Sequence, residues 1–330
     1  MRHKSIGKIN TFYIRIANNY NMTLQQLEYI VALDTHRHFV TAANHCFVTQ
    51  PTLTLQVQKL EDEMGTLIFD RSRHPIVPTP TGEMIIAKAR QILRESNQLK
   101  ELVNLEKDTM AGSFRIAVIP TIAPYLMPLF LKDFTAKYPD THLQIREMES
   151  EDIIQALKND FLDIGIMATP LEESTLREIP MYHEPFLIYS SENHSLYQKS
   201  DLKPENLPMR GLWLLNQGHC FRNQVLNICE EKKKNETSSF SYESGSIETL
   251  KNMVRSNMGY TLVPELSVID ELNSPKIQRF ENPEPVREIS IVVHNSFTKE
   301  TLIEKIRESI LPNIPANFQK GKRFVKVKWR

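Results

Sequence analysis

Residues 81–105 carry the longest unbroken helical signal in the chain, and the sequence on its two sides differs in kind. After a Thr81-Gly82-Glu83 start, Ile85, Ile86, Ala89, Leu93, Leu99, Leu102 and Val103 recur at helical spacing. So long a helix between two domains carries an apolar stripe that needs a cover, and an antiparallel copy from a second subunit would supply one. The pattern before it is helical, while the pattern after Ala111-Gly112 alternates strand with helix.

On the amino-terminal side, Leu24, Leu27, Ile30 and Val31 share one helical face. Ala42 and Ala43 are small enough for close helix crossing. Thr49 is placed to cap a further helix with Pro51 in its first turn, where a missing N–H is harmless. Leu53, Val57 and Leu60 give that helix a buried stripe and leave Gln50, Thr52, Gln56, Gln58 and Lys59 outside. Two short helices joined in this way read as a helix-turn-helix, whose second helix enters the major groove. Gln50, Thr52 and Gln56 are the candidate base readers, since Gln pairs with adenine and a Thr methyl meets the thymine methyl. Arg71 and Arg73, beside His74 and two prolines, read as a basic wing for phosphate. Charge neither favours nor opposes this reading: between Met22 and Lys107 there are nine Lys/Arg and ten Asp/Glu.

Beyond the long helix, strands are expected at 114–119, 143–148 and 162–167, with helices at 125–138 and 151–158. Such alternation argues for a parallel α/β sheet. Segments 186–189, 212–215 and 260–263 read as strands of a second lobe, and 288–293 with a helix at 299–310 return to the first. Two lobes joined by crossing strands place a cleft at strand ends, where open α/β sheets hold ligands. No phosphate-binding glycine loop, nucleophile elbow or paired metal ligands occur.

His219-Cys220, with Cys229 nine residues on, is the candidate chemistry. The segment follows the apolar run 212–215 and reads as strand, glycine turn and helix. A thiol at a helix start beside His219 and Arg222 meets the conditions that lower a cysteine pKa. Nine helical residues separate the sulfurs by about 13 Å along the axis, whereas a disulfide needs Cα atoms within about 7 Å. A bond between them would require the helix to unravel, as a redox switch does. Buried core cysteines are the plain alternative, and a metal site shared by His219, Cys220 and Cys229 has no CxxC pair to support it.

The 330 residues are 41% hydrophobic and 24% charged with no formal net charge, which allows two or three domains with sizeable cores. Three cysteines are no disulfide framework and suit a reducing cytoplasm. No apolar stretch is long enough to span a bilayer, so no membrane partner is expected. Residues 1–21 read as a disordered basic arm, or as sequence upstream of a true start at Met22. The run of Lys320, Lys322, Arg323, Lys326, Lys328 and Arg330 reads as a solvated, flexible basic tail.

Residues 23 to about 310 resemble the LysR-type transcriptional regulators. The matching residues are Leu27-Glu28-Tyr29, Ala42-Ala43, Thr49-Gln50-Pro51-Thr52-Leu53, Gln58-Lys59-Leu60-Glu61, Gly65, Phe69-Asp70-Arg71 and Thr81-Gly82. His36-Arg37-His38-Phe39, Ile119-Pro120-Thr121, Pro124-Tyr125-Leu126, Gly218-His219-Cys220, Cys229 and Glu248-Thr249-Leu250 are similar to the peroxide-sensing members of that family. The resemblance implies a multidomain chain. It would comprise an all-α winged helix-turn-helix domain at 22–80, a linker (dimerisation) helix at 81–110, and a two-lobed α/β sensor domain like periplasmic binding proteins at 111–312. A basic arm (1–21) and a basic tail (313–330) would flank them.

By the same resemblance Cys220 is the thiol that hydrogen peroxide oxidises to a sulfenic acid, and Cys229 its disulfide partner. Thr121, Ser150, His219 and Arg222 would form the peroxide pocket. Asn223 stands where an acid often occurs, and His294 near where an arginine is expected. The implied partners are double-stranded promoter DNA, RNA polymerase, a reducing dithiol protein and further copies of the chain, as dimer or tetramer; no cofactor or metal is implied. Two rivals stand beside this reading. One is a family member governed by a small metabolite in the cleft with inert cysteines; the other is a thiol peroxidase, which leaves the helix-turn-helix without a purpose.

Overall fold

The structure, a computed structural model, describes residues 22–104, 110–200, 202–229, 244–318 and 324–329. The expected arm at 1–21 lies outside the described residues. The chain divides into two units at residues 103/104.

The first unit opens with α1 (Leu24–His36), α2 (Phe39–His45) and α3 (Gln50–Met64). Thr23 and Gln26 form a reciprocal capping box on α1, and Thr49 caps α3 by accepting from the Thr52 N–H. Leu27, Ile30, Ala42, Ala43, Leu53, Val57 and Leu60 are buried together, whereas Leu24 is exposed at the end of its expected stripe. Strands β1 (Phe69–Asp70) and β2 (Val77–Pro78) pair antiparallel as the wing. The long helix α4 (Pro80–Asn104) follows. A Cβ at Gly82 would stand 1.9 Å from the Ile68 carbonyl oxygen, so glycine is what lets α4 start against the wing. Ile86 and Ala89 join the core, and buried Arg90 reaches Asp34 at 2.8 Å, fixing α4 to α1.

The second unit starts with β3 (Gly112–Val118), α5 (Ala123–Lys137), β4 (Thr141–Glu147), α6 (Ser150–Lys158) and β5 (Ile164–Thr169). β3 pairs parallel with β4 and β5, as the alternation requires. The long β6 (Leu176–Ser190) then crosses into a second lobe holding β7 (Leu212–Trp213), α7 (Cys220–Ile228), α8 (Ile247–Arg255), β8 (Tyr260–Pro264) and β9 (Ile277–Gln278). β10 (Glu284–His294) returns antiparallel to both β6 and β5, and α9 (Glu300–Ile310) covers the first lobe. Each lobe has its own apolar core.

The carboxy-terminal segment departs from expectation. It is not a solvated end where it is described: β11 (Phe324–Lys326) pairs parallel with β10, and Val327 and Trp329 are buried. Val325, Val327 and Trp329 alternate with Lys326 and Lys328, a strand period that the count of lysines obscures. Strand pairing and two buried side chains outweigh the solvation of the charged ends, which find Glu288 and Glu172.

Candidate redox site and DNA-reading face

Cys220 is the first residue of α7 and Cys229 its C-cap; both are free thiols and both are buried. They occupy different cores. Cys220 packs into the first lobe's core, whereas Cys229 packs into the second lobe's core with Phe221, Val225 and Ile228. The turn into α7 depends on Gly218 at φ 101°, where a Cβ would lie 2.0 Å from Glu149 Oε2.

The electrostatics of Cys220 differ from the sequence expectation. Burial pushes its pKa up, not down. Opposing this are, in order, the Ser150 hydroxyl, the charge of Arg287, and the backbone N–H groups of Phe221 and Cys220 at the helix start. Ser150 Oγ is buried and, with no other hydrogen-bond partner among the described residues, is placed to donate to the thiolate. Cys229 has no such support, and burial alone pushes it up to about 11.

Arg222 is engaged with the loop before α7 and is not among the groups that shift the Cys220 thiol. Its guanidinium donates to the Leu215 carbonyl at 2.7 Å, because one helical turn from residue 219 points it back along the loop before α7. His219 is buried, which lowers its pKa against the opposite pull of Glu149, 3.9 Å away. It is therefore a neutral neighbour and not a cation at neutral pH.

Arg287, missed by the sequence reading, is the cation of this site. It is buried on β10, donates to Thr121 Oγ1 at 2.9 Å and to the Thr121 carbonyl at 3.1 Å, and pairs with buried Glu184 on β6 at 2.8 Å. Its guanidinium also lies 5.2 Å from the Phe221 ring centroid, next along the chain from Cys220. The arginine expected near His294 thus stands seven positions earlier on the same strand, and His294 turns to Ser296 at 2.7 Å. Arg287 and Glu184 are both 1% exposed, and buried charges require partners. Tyr125 on α5 donates to Glu248 on α8 at 2.9 Å and links the lobes nearby. Asn223, one helical turn from Cys220, donates to the Trp329 carbonyl at 3.2 Å.

In the first unit, Gln50 and Thr52 are exposed at the start of α3. Gln56 is half-buried and accepts from Gln26 at 3.3 Å, so it is partly occupied by α1. Arg71 is also engaged: it pairs at 2.6 Å with buried Glu61, which accepts from the Ile68 and Phe69 N–H groups, and lies 5.9 Å from the Phe39 ring centroid. Arg73 is open, 71% exposed and 3.4 Å from Asp70. Cys46 is half-buried at the end of α2. Among the described residues there is no group of three or more potential metal ligands, and no helix is long and apolar enough to cross a membrane.

Residues 24–83 match the bacterial regulatory helix-turn-helix of the lysR family, and residues 107–313 match the LysR substrate binding domain. The chain belongs to the LysR family of transcription regulators, with a helix-turn-helix for DNA and an α/β regulatory domain, and is not an enzyme of the thiol peroxidase kind. Within that family it is OxyR-like. A hydrogen peroxide-inducible genes activator of Haemophilus influenzae is 35% identical over 291 residues, covering 88% of this chain and 96% of that protein. The DNA-binding transcriptional dual regulator OxyR of Escherichia coli is 33% identical over 301 residues, covering 91% and 98%. Full-length OxyR of Pseudomonas aeruginosa, carrying a cysteine-to-aspartate substitution, superimposes with a TM-score of 0.75 at 35% identity over 88% of this chain and 98% of that one.

Proposed function

We propose that the chain is a peroxide-responsive transcription regulator in which Cys220 is the sensing thiol and Cys229 its disulfide partner. The observation that carries this reading is the placement of Cys220 at the start of α7. There the Ser150 hydroxyl, two backbone N–H groups and the Arg287 charge all favour the thiolate against burial. The thiolate attacks one peroxide oxygen, the O–O bond breaks, sulfur is oxidised to the sulfenic acid and hydroxide leaves. The Cys229 thiol then attacks that sulfur, the S–O bond breaks, and water leaves as the disulfide forms. The two cysteines stand at opposite ends of the nine-residue α7, so the second step demands that α7 unwind.

Unwinding draws residues out of both lobe cores, the kind of order–disorder change that couples a local site to a global state. In this reading the sensor change repositions the helix-turn-helix on double-stranded promoter DNA and its contact with RNA polymerase, and a dithiol protein resets the bond. Gln50 and Thr52 read bases, with Gln56 contributing less and Arg73 holding phosphate. Copies of the chain pair through α4, whose Met84, Ile92 and Leu99 are exposed apolar side chains needing a cover.

Mass mapping after brief peroxide exposure tests the chemistry. The wild type should show a Cys220–Cys229 bond, Cys229→Ser a sulfenic or over-oxidised Cys220, and Cys220→Ser no disulfide. A Cys220 that stays a free thiol, or pairs with Cys46 instead, overturns the reading. Footprinting on the organism's own promoters with and without peroxide tests the regulatory consequence.

A further inference from the structure

The segment just after β11 lies on the helix that carries the cysteines. Asn223, Gln224 and Asn227 occupy one face of α7. Each donates its side-chain amide to a backbone carbonyl of the tail: Asn223 to Trp329 at 3.2 Å, Gln224 to Val327 at 3.0 Å, and Asn227 to Lys328 at 2.8 Å. The tail is anchored elsewhere as well. β11 pairs with β10, the Val327 N–H donates to the Val286 carbonyl at 2.9 Å, and Phe324 stacks on His183 with centroids 4.6 Å apart. Val327 is buried in the second lobe's core and Trp329 in the first lobe's core, the same two cores that hold Cys229 and Cys220.

From this arrangement we infer that residues 324–329 are a latch on α7, which positions the thiol pair in the reduced state and must let go before Cys229 can reach Cys220. The inference rests on the proposed disulfide chemistry. All three donors lie between the two cysteines, and their spacing matches three consecutive tail carbonyls only while α7 is helical. Unwinding α7 therefore breaks all three bonds together. The donor chemistry is specific: an amide N–H can bond a carbonyl, whereas a carboxylate at 223, 224 or 227 would face it with a second acceptor. Asn223 is thus matched to the tail. The latch stabilises the thiol form without touching the reacting atoms, so its residues are positioning residues.

The test uses the full chain and a variant stopped after Phe318, each equilibrated in glutathione buffers of graded potential and then acid-quenched for mass mapping. Asn227→Asp, an exposed substitution that keeps the chain whole, serves if the shortened chain does not fold. One neutral hydrogen bond corresponds to roughly a fivefold change in equilibrium constant. Loss of the tail should therefore favour the Cys220–Cys229 disulfide at least tenfold, lowering its reduction potential by about 30 mV or more for this two-electron couple. Asn227→Asp should shift it the same way by a few-fold. In a cyclic-dione trapping experiment after peroxide, both variants should yield less trapped sulfenic acid and more disulfide than the wild type. If the wild type forms the disulfide and both variants match its potential and partition, the latch is wrong while the redox reading stands. If the wild type forms no such bond, the redox reading itself has failed.

Discussion

Arg287 and Thr121 are joined twice, through the Thr121 hydroxyl at 2.9 Å and its backbone carbonyl at 3.1 Å, while the Arg287 Nε donates to Glu184 at 2.9 Å. One guanidinium thereby ties the loop after β3 to both crossing strands, and its charge is felt at Cys220. The arrangement combines a structural and an electrostatic role in one buried side chain.

Arg287→Met should accordingly be costly. It strands Glu184, whose carboxyl is already pushed up by burial against the pull of Arg287. Removing one member of a buried pair costs about 3–5 kcal/mol, whereas replacing both with apolar groups is far milder. Chemical denaturation should therefore find Arg287→Met much less stable than Arg287→Met combined with Glu184→Leu. Equal stabilities would show that the pair is not what holds this region.

The reactivity of Cys220 should rise with pH. Its pKa is raised by burial above the ordinary thiol value, so the thiolate fraction still grows through the neutral range. Between pH 7 and pH 8 the peroxide rate constant should increase about tenfold, one decade per pH unit below the pKa. Ser150→Ala, which removes the hydroxyl that supports the thiolate, should lower the rate throughout that range. Stopped-flow measurements on fully reduced protein decide this, and a flat profile from pH 6.5 to 8 would mean the thiolate is already formed.

The helix-turn-helix, the long α4 and the strand-helix alternation were legible because each rests on local periodicity and capping, as at Thr49. The two-ended geometry of α7 was legible from spacing alone. Arg287 was not, because it reaches Thr121 across 166 positions of sequence and no local pattern encodes that approach. Arg222 shows the limit of adjacency: two positions from Cys220 in sequence, its guanidinium bonds the Leu215 carbonyl. The tail was misread by composition, since its alternation of valine and lysine describes a strand as well as a charged end.

The two wing arginines should separate by the kind of loss they cause. Arg71 holds buried Glu61, so Arg71→Ala should cost about 1–2 kcal/mol of stability, less than a fully buried pair because Arg71 is partly exposed. Arg73 is open, so Arg73→Ala should leave the melting temperature alone, weaken all DNA sequences alike and reduce the salt slope of binding by roughly one phosphate contact. Thr52→Ala should instead cost about 1–3 kcal/mol on cognate DNA only. Melting curves together with binding titrations at several salt concentrations separate the three, and a salt slope unchanged in Arg73→Ala would remove it from the phosphate contacts.

Cys229 should make the reduced protein sensitive to alkali. Its folded pKa is pushed up to about 11 from an ordinary value of 9.0. Below the unfolded value the thiol is neutral in both states, and its burial carries no ionisation penalty. As pH rises past that value the unfolded chain loses the proton and the folded chain keeps it, so stability falls until the folded pKa is reached. A gap of this size corresponds to about 2–3 kcal/mol lost between roughly pH 9 and pH 11. Cys229→Ala removes the titrating group, at the cost of a small cavity that does not depend on pH. Unfolding free energies measured with excess reductant should therefore fall more steeply from pH 8.5 to 10.5 in the wild type than in Cys229→Ala. Tyr260, whose pKa is raised by burial and then by the charge of Cys229, is present in both proteins. Parallel curves would place Cys229 in contact with solvent, where α7 would need far less unwinding to expose it.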